Sequence, residues 1–256
     1  MSSTRETHVE ASTEALAAFV AARLVEAIAA AQRDHGRAAL ALTAGSVMEK
    51  VWAALAGSQS ARELDWSAVD VFWGDERFVP AGDADRNDRP AGEILFGHEP
   101  FSSARQFPMP TSDGEYGDDL DAAAAGYART LRDARRPDDA GEVPNFDVVL
   151  LGVGPDGHCC SLFPDHPSSR DESGTVIAVR DSPKPPPLRI SLSFAGLNAA
   201  EQIWAVVNGA GKAEAVARAL GGAARTEVPS AGAQGRSRTW WLLDRDAASQ
   251  LPADRG

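Results

Sequence analysis

The sequence predicts an α/β fold built on an open, mostly parallel sheet with helices on both faces. Three observations predict it. Several short segments, among them VDVFW (69–73) and FDVVLLGVG (146–154), are apolar on successive residues, as strands buried on both faces must be. Stretches with apolar residues three and four apart alternate with them. Polar, glycine-containing turns follow four of the strand-like segments, which is the order of a βαβ chain.

The elements follow in order. Leu16, Val20, Leu24 and Ile28 form a helical stripe over 13–33, with Phe19 beside it and Gly36 to end it. AALALTAG (38–45) reads as a short buried strand running into a turn. Ser46 is expected to cap the next helix, with Glu49 completing a capping box and Val47, Val51 and Leu55 facing inward. After the strand at 69–73 comes a long polar loop, GDERFVPAGDADRND, then a helix from near Asn87 to Gly97. A second long helix is expected over 117–136, a loop over 137–145, and the clearest strand over 146–154. Further strands are expected at 175–180, 189–193, 202–209 and 239–244, with helices at 194–200, 211–220 and 245–251. SPKPPP (182–187) is a stiff loop too short to link two domains. Residues 1–256 are therefore read as one α/β unit. Of Trp240 and Trp241, one is expected to face the core and the other a helix or partner.

The length suffices for a core without disulfides or a structural metal. A formal net charge of -12 argues against a general nucleic-acid binder, although a local basic cluster still suits an anionic small ligand. No apolar run reaches the 18 or so residues of a membrane span. The polar start MSSTRETHVE lacks the pattern of a secretion signal. Cys159 and Cys160 are adjacent and form no disulfide framework, so reduced thiols in the cytoplasm are expected. A monomer or weak homo-oligomer is expected.

Ligands of open parallel sheets bind beyond the carboxyl ends of the strands. Four polar loops lie at such ends: TAGS (43–46), GDER (74–77), GPDGH (154–158) and NGAGK (208–212). Gly45 permits a tight turn, and free N–H groups where Ser46 opens a helix suit a phosphate or carboxylate, although an ordinary helix cap fits equally well. Arg77 has the planar fork that clamps an oxyanion, and Asp75 is placed to orient a neighbour. His158 falls where a helix is expected to begin, and a helix N-terminus favours the neutral imidazole that a general base requires. Lys184 sits in the proline-rich loop and Arg189, five residues on, begins a strand, a candidate positive patch for a phosphate, and Lys212 reads as a surface residue. The spacing argues against a zinc site, because His158, Cys159 and Cys160 are consecutive and do not easily converge on one ion, and His166 is isolated. TAGS and NGAGK lack the full nucleotide P-loop pattern.

GDERFVP with Asn87 and Asp88 downstream, NFDVVLLGVGPDGHCCSLFP, SPKPPPLRISLS and NGAGKAEAVARAL together resemble the 6-phosphogluconolactonases, over roughly residues 10 to 251. That family is similar to the sugar-phosphate isomerases and deaminases, which share a Rossmann-like three-layer fold. The resemblance implies hydrolysis of the ester bond of 6-phospho-D-glucono-1,5-lactone in the oxidative pentose phosphate pathway, with no metal, nucleotide or other cofactor. His158 matches the general base toward water and Arg77 the ligand-contacting arginine. Lys184 and Arg189 match a basic pair near the phosphate, and Gly45 and Ser46 the phosphate-cradling turn. Asp156 or Asp75 would orient the imidazole.

The chain departs from the family at AGSVM (44–48), where a turn like GGSTP is usual. A positive φ at Ala44 would cost roughly 1 kcal/mol. Cys159 and Cys160 stand where Thr and Ala are common. The rival on the same fold is an amino-sugar-phosphate deaminase or isomerase, in which DEY is usual and DGH is followed by an apolar residue and Asn-Glu-Pro. A non-catalytic sugar-phosphate binder would keep Ser46, Arg77 and Lys184 without needing the base, and a thiol hydrolase would use Cys159 beside His158.

Overall fold

The computed structural model describes residues 4–252. Residues 1–3 and 253–256, which the sequence reading included in its single unit, lie outside the described residues. The strands are β1 (Thr4–Glu10), β2 (Ala38–Leu42), β3 (Val69–Trp73), β4 (Asp75–Arg77), β5 (Arg105–Gln106), β6 (Val148–Gly152), β7 (Val176–Val179), β8 (Arg189–Leu192), β9 (Gln202–Val207) and β10 (Arg238–Asp244). The α-helices are α1 (Thr13–His35), α2 (Ser46–Gly57), α3 (Gln59–Arg62), α4 (Asp88–Ala91), α5 (Leu120–Asp133), α6 (Phe194–Leu197) and α7 (Ala213–Leu220).

Seven strands form one sheet in the order β1-β10-β9-β6-β2-β3-β5, every pair parallel. Every residue of β2 and β3 is buried, because helices cover both sheet faces. Val206 and Leu242 join the large core that α1 and α2 also fill, whereas Ala205, Val207, Trp241 and Leu243 pack with Val216 and Ala219 of α7. Trp241 is thus fully in the core, while half-buried Trp240 packs edge-on against Phe19 of α1.

The chain leaves β2 for β3 on one side and later places β6 on the other side of β2. Strand order therefore reverses at β2/β6, and the crevice beyond their carboxyl ends is the ligand position of such sheets. Thr43 ties that edge together: its hydroxyl donates to the Leu150 carbonyl at 3.1 Å and accepts from the Gly152 N–H at 3.0 Å.

The structure corrects several sequence expectations. The strands near 175–180 and 189–193 do not join the parallel sheet. β7 and β8 pair antiparallel, and β8 pairs antiparallel with β4, which reads as loop in the sequence. This small sheet sets Arg77 opposite Arg189 and Asp75 opposite Ser191. β1 and β5 are edge strands, too polar to announce themselves by apolar runs. The helix expected over 87–97 is α4 followed by a π-helical turn, Gly92–Phe96. The helix at 117–136 is shorter, because the Asp119 side chain caps it at Ala122. The helix at 194–200 stops at Leu197, and that at 211–220 begins with a 3-10 turn. Residues 245–250 form turns rather than a helix, and the Asp244 carboxylate accepts from the Ala247 N–H.

Two local predictions at the site also change. Gly45, not Ser46, is the N-cap residue of α2, and no side chain caps that helix, so the capping box is not formed. No helix begins at His158. The chain makes a tight turn there, with a bridge between Cys159 and Leu162 and Cys160 at φ 49. A helix dipole therefore does not set the state of the imidazole.

Candidate active site

A cleft of about 260 Å³ opens beyond β2 and β6. All four polar loops contribute to it: Ala44 and Gly45, Asp75 and Arg77, Gly154 and His158, and Lys212. Arg189 enters from β8.

His158 is positioned by the turn that ends β6. The Gly154 N–H donates to the His158 carbonyl at 2.9 Å, and the Gly157 N–H to the Gly154 carbonyl at 2.9 Å. Gly157 has φ 85, and a Cβ there would press on Val228, so the turn requires glycine. Folded back in this way, the imidazole meets the carboxylate two residues earlier: Nδ1 of His158 and Oδ1 of Asp156 are 2.5 Å apart. Although half-burial opposes ionisation, the hydrogen bond and charge of His158 and the charge of Lys184 hold the Asp156 carboxyl well below the usual carboxylate range. The Lys184 ammonium lies 3.3 Å from both Asp156 oxygens and 3.0 Å from Nδ1 of His158. Phe163 packs against the imidazole at 5.1 Å between ring centroids.

Asp75 is not the imidazole's partner. It is 5 % exposed and accepts from the Ser161 hydroxyl at 2.7 Å and more weakly from Nδ2 of Asn87 at 3.4 Å. Its other neighbour is the Arg189 guanidinium at 4.0 Å. Arg189 donates to the carbonyls of Lys184, Pro185 and Pro186, so it braces the proline-rich loop from the cleft wall. Lys184 and Arg189 thus address different hydrogen-bonding partners, the Asp156–His158 pair and the carbonyls of the proline-rich loop. Arg77 is half-buried, and its Nη1 donates to the Asp85 carbonyl.

Lys212 is not a plain surface residue. It is half-buried, lines the cleft, and has no hydrogen-bonding partner among the described residues. Burial lowers its pKa, with the Lys184 charge adding to this and the Asp244 carboxylate opposing it. The Asp244 carboxylate, itself buried, holds the turn before it by accepting from the Gly209 N–H at 3.0 Å. The signal was present in NGAGK, a glycine turn and lysine directly after an apolar strand.

The sequence matches the family described as glucosamine-6-phosphate isomerases/6-phosphogluconolactonase over residues 11–241. It is 49% identical to a 6-phosphogluconolactonase of Streptomyces coelicolor, covering 98% of this chain and 97% of that one. It is 36% identical to a human 6-phosphogluconolactonase, covering 93% and 88%. The chain belongs to the 6-phosphogluconolactonase family. Among solved structures, a Trypanosoma brucei 6-phosphogluconolactonase superposes with a TM-score of 0.84 at 30% identity, covering 98% of this chain and all of that one. A monomeric glucosamine-6-phosphate deaminase superposes at a TM-score of 0.74 with 19% identity, which is a likeness of fold alone.

Two departures from the family's usual residues now have structural readings. Ala44 does not take a positive φ; that conformation falls on Gly45, at φ 140, so the AGSVM turn carries no alanine strain. Cys159 and Cys160 are buried small residues. Burial pushes the Cys159 thiol up to about 12 and Cys160 higher than its ordinary value as well, which leaves neither as a thiolate nucleophile near neutral pH. Among the described residues no three His, Cys, Asp or Glu side chains are grouped to hold a metal, and no helix is long and apolar enough to cross a membrane.

Proposed function

We propose that this chain hydrolyses 6-phospho-D-glucono-1,5-lactone to 6-phospho-D-gluconate, the second step of the oxidative pentose phosphate pathway, with His158 as general base. The observation that carries the mechanism is the Asp156–His158 pair at the wall of a cleft whose remaining walls bear Arg77, Arg189 and Lys212. Residues 1–256 act as one unit, in the cytoplasm, as a monomer or weak homo-oligomer.

A lactone is an ester, so water must lose a proton as it attacks the ring carbonyl. With Nδ1–H directed at Asp156, Nε2 of His158 is the free lone pair that takes it. The carbonyl oxygen then gains negative charge, and Arg77 is the candidate donor to it. Collapse of the tetrahedral intermediate breaks the bond to the ring oxygen, which receives its proton from the His158 imidazolium. No covalent intermediate and no cofactor are needed. The phosphate sits between the free N–H groups at Gly45 and the start of α2 on one side and the Lys212 ammonium on the other. Its binding energy positions the carbonyl over Nε2. Ser46 supplies its backbone to this turn, and its exposed side chain plays no part. Lys184 acts on the Asp156–His158 pair rather than on the phosphate.

The test is hydrolysis of freshly prepared 6-phosphoglucono-1,5-lactone, followed by proton release with the spontaneous rate subtracted. Wild type should turn over rapidly, act weakly on unphosphorylated gluconolactone, and lose turnover in His158→Ala. Absence of turnover above background would overturn the activity. Turnover surviving in His158→Ala would overturn the assignment of the base.

A further inference from the structure

One carboxylate beside the cleft is unused by this mechanism. Glu76 is 1 % exposed and sits between Asp75 and Arg77 on β4. Its Oε1 accepts from the backbone N–H of Arg77 at 2.8 Å and of Asn87 at 2.6 Å. Its Oε2 accepts from the N–H of Asp88 at 3.1 Å and lies 3.5 Å from Nη2 of Arg86. Arg77 and Asn87 are the two ends of the polar loop that follows β4, and both line the cleft. One buried side chain therefore joins both ends of the loop at the points where it meets the ligand space.

Holding a loop does not by itself call for a buried charge, because apolar packing commonly does so at no desolvation cost. Arg86 does not belong to Glu76 alone: its Nη2 lies closer to Asp88, at 2.7 Å, and it also donates to the Met109 carbonyl. What the carboxylate provides is several convergent lone pairs aimed at three backbone N–H groups. A second link runs onward, since Nδ2 of Asn87 donates to the Asp75 carbonyl at 2.9 Å and points toward its carboxylate.

We propose that Glu76 is a positioning residue, whose carboxylate holds Arg77 and Asn87 at the cleft wall in the geometry that turnover requires. This rests on the reading of Arg77 as the donor to the developing oxyanion. The charged or titratable groups that face Glu76 are Arg86 and Asp88 in the same loop, Arg77 beside it, Arg189 on β8 and the Tyr127 hydroxyl on α5. Of these only Arg86 is a counter-charge within 4 Å, and Glu76→Gln, which keeps one acceptor oxygen, sets an NH2 donor against the Asp88 N–H or the Arg86 guanidinium and so disturbs the cradle that holds the loop ends.

The experiment is a double-mutant cycle on lactone hydrolysis at pH 8, with Glu76→Gln, Arg77→Ala and the double variant, each checked for folding by circular dichroism. Glu76→Gln should lower kcat by about tenfold to 100-fold while KM moves less than about threefold, as expected of a displaced transition-state contact. In the Arg77→Ala background the same change should cost less than about twofold, because the contact it positions is gone. If Glu76→Gln does not fold, Glu76→Asp takes its place, retaining the charge but withdrawing it by one methylene. Full additivity with Arg77→Ala, or unchanged kcat in folded Glu76→Gln, overturns the proposal while leaving the hydrolase reading intact. Absence of wild-type turnover overturns both.

Discussion

Nδ1 of His158 and Oδ1 of Asp156 face one another at 2.5 Å, and the Lys184 ammonium bears on both groups. An ionised carboxylate only accepts, so the proton of this contact belongs to Nδ1, and Nε2 keeps its lone pair. In that tautomer Lys184 cannot donate to Nδ1 and bonds instead to the Asp156 oxygens, steadying the carboxylate that steadies the ring. Asp156→Asn replaces an acceptor by a group that can also donate to Nδ1 and so favours the wrong tautomer. The expected loss in kcat is about 100-fold to 10,000-fold, with KM little changed. Steady-state kinetics check this, and a loss below about threefold would mean that the pair does not orient the base.

The two lysines should separate kinetically. Lys184 touches the Asp156–His158 pair, whereas Lys212 lines the cleft with its ammonium unpartnered among the described residues. Lys212→Met should raise KM for the phosphorylated lactone by about tenfold to 100-fold, the worth of a charge-assisted contact, and leave the weak hydrolysis of unphosphorylated gluconolactone unchanged. Lys184→Met should instead reduce kcat on both substrates. The reverse pattern would return Lys184 to the phosphate and remove Lys212 from it.

Much of the sheet was legible because strands buried on both faces have to be apolar at every position, as in AALAL and VVLLG. TRETHVE was not, because an edge strand is held by backbone bonds to β10 and leaves half its side chains in water. DER looked like loop because its partner β8 lies more than a hundred residues away, and no local pattern encodes that pairing. The same limit divides the site. Asp156 lies two residues from His158, and a tight turn alone brings them together. Which aspartate faces the ring depends on Ser161, which engages Asp75 across the fold at 2.7 Å. Lysine side chains are long, so where Lys184 and Lys212 end is decided by tertiary neighbours rather than by spacing.

Burial raises the Glu76 carboxyl to about 7 from an ordinary 4.5, with Arg86 and the backbone N–H groups opposing the shift only in part. A carboxyl with a raised folded-state pKa binds more protons folded than unfolded between those values. Its contribution to stability is therefore present below about pH 4.5 and is lost as pH rises toward 7. Relative to wild type, Glu76→Gln should gain stability over that window, by at most about 3 kcal/mol. Urea unfolding of both proteins at pH 4.5, 6 and 8 measures the difference. A constant difference across pH would show that Glu76 titrates alike folded and unfolded, and with it that the surrounding N–H groups and Arg86 fully compensate its burial.

Gly154 and Gly45 line the same cleft and should fail in opposite ways when given a methyl group. A Cβ on Gly154 would overlap the His158 ring and crowd the Asp156 carboxylate, and the backbone there is not in the left-handed region. Gly154→Ala should therefore displace the base with little backbone strain, lowering kcat by about 100-fold. A Cβ on Gly45 meets nothing within 4 Å, but the residue stands at φ 140. Gly45→Ala should strain the turn by about 1–3 kcal/mol, lower the melting temperature, and raise KM by disturbing the N–H groups at the start of α2. The pair of variants thus separates the two halves of the cleft, one acting on chemistry through a side chain and the other on phosphate binding through the main chain. Loss of kcat in Gly45→Ala with KM intact would place the phosphate elsewhere in the cleft.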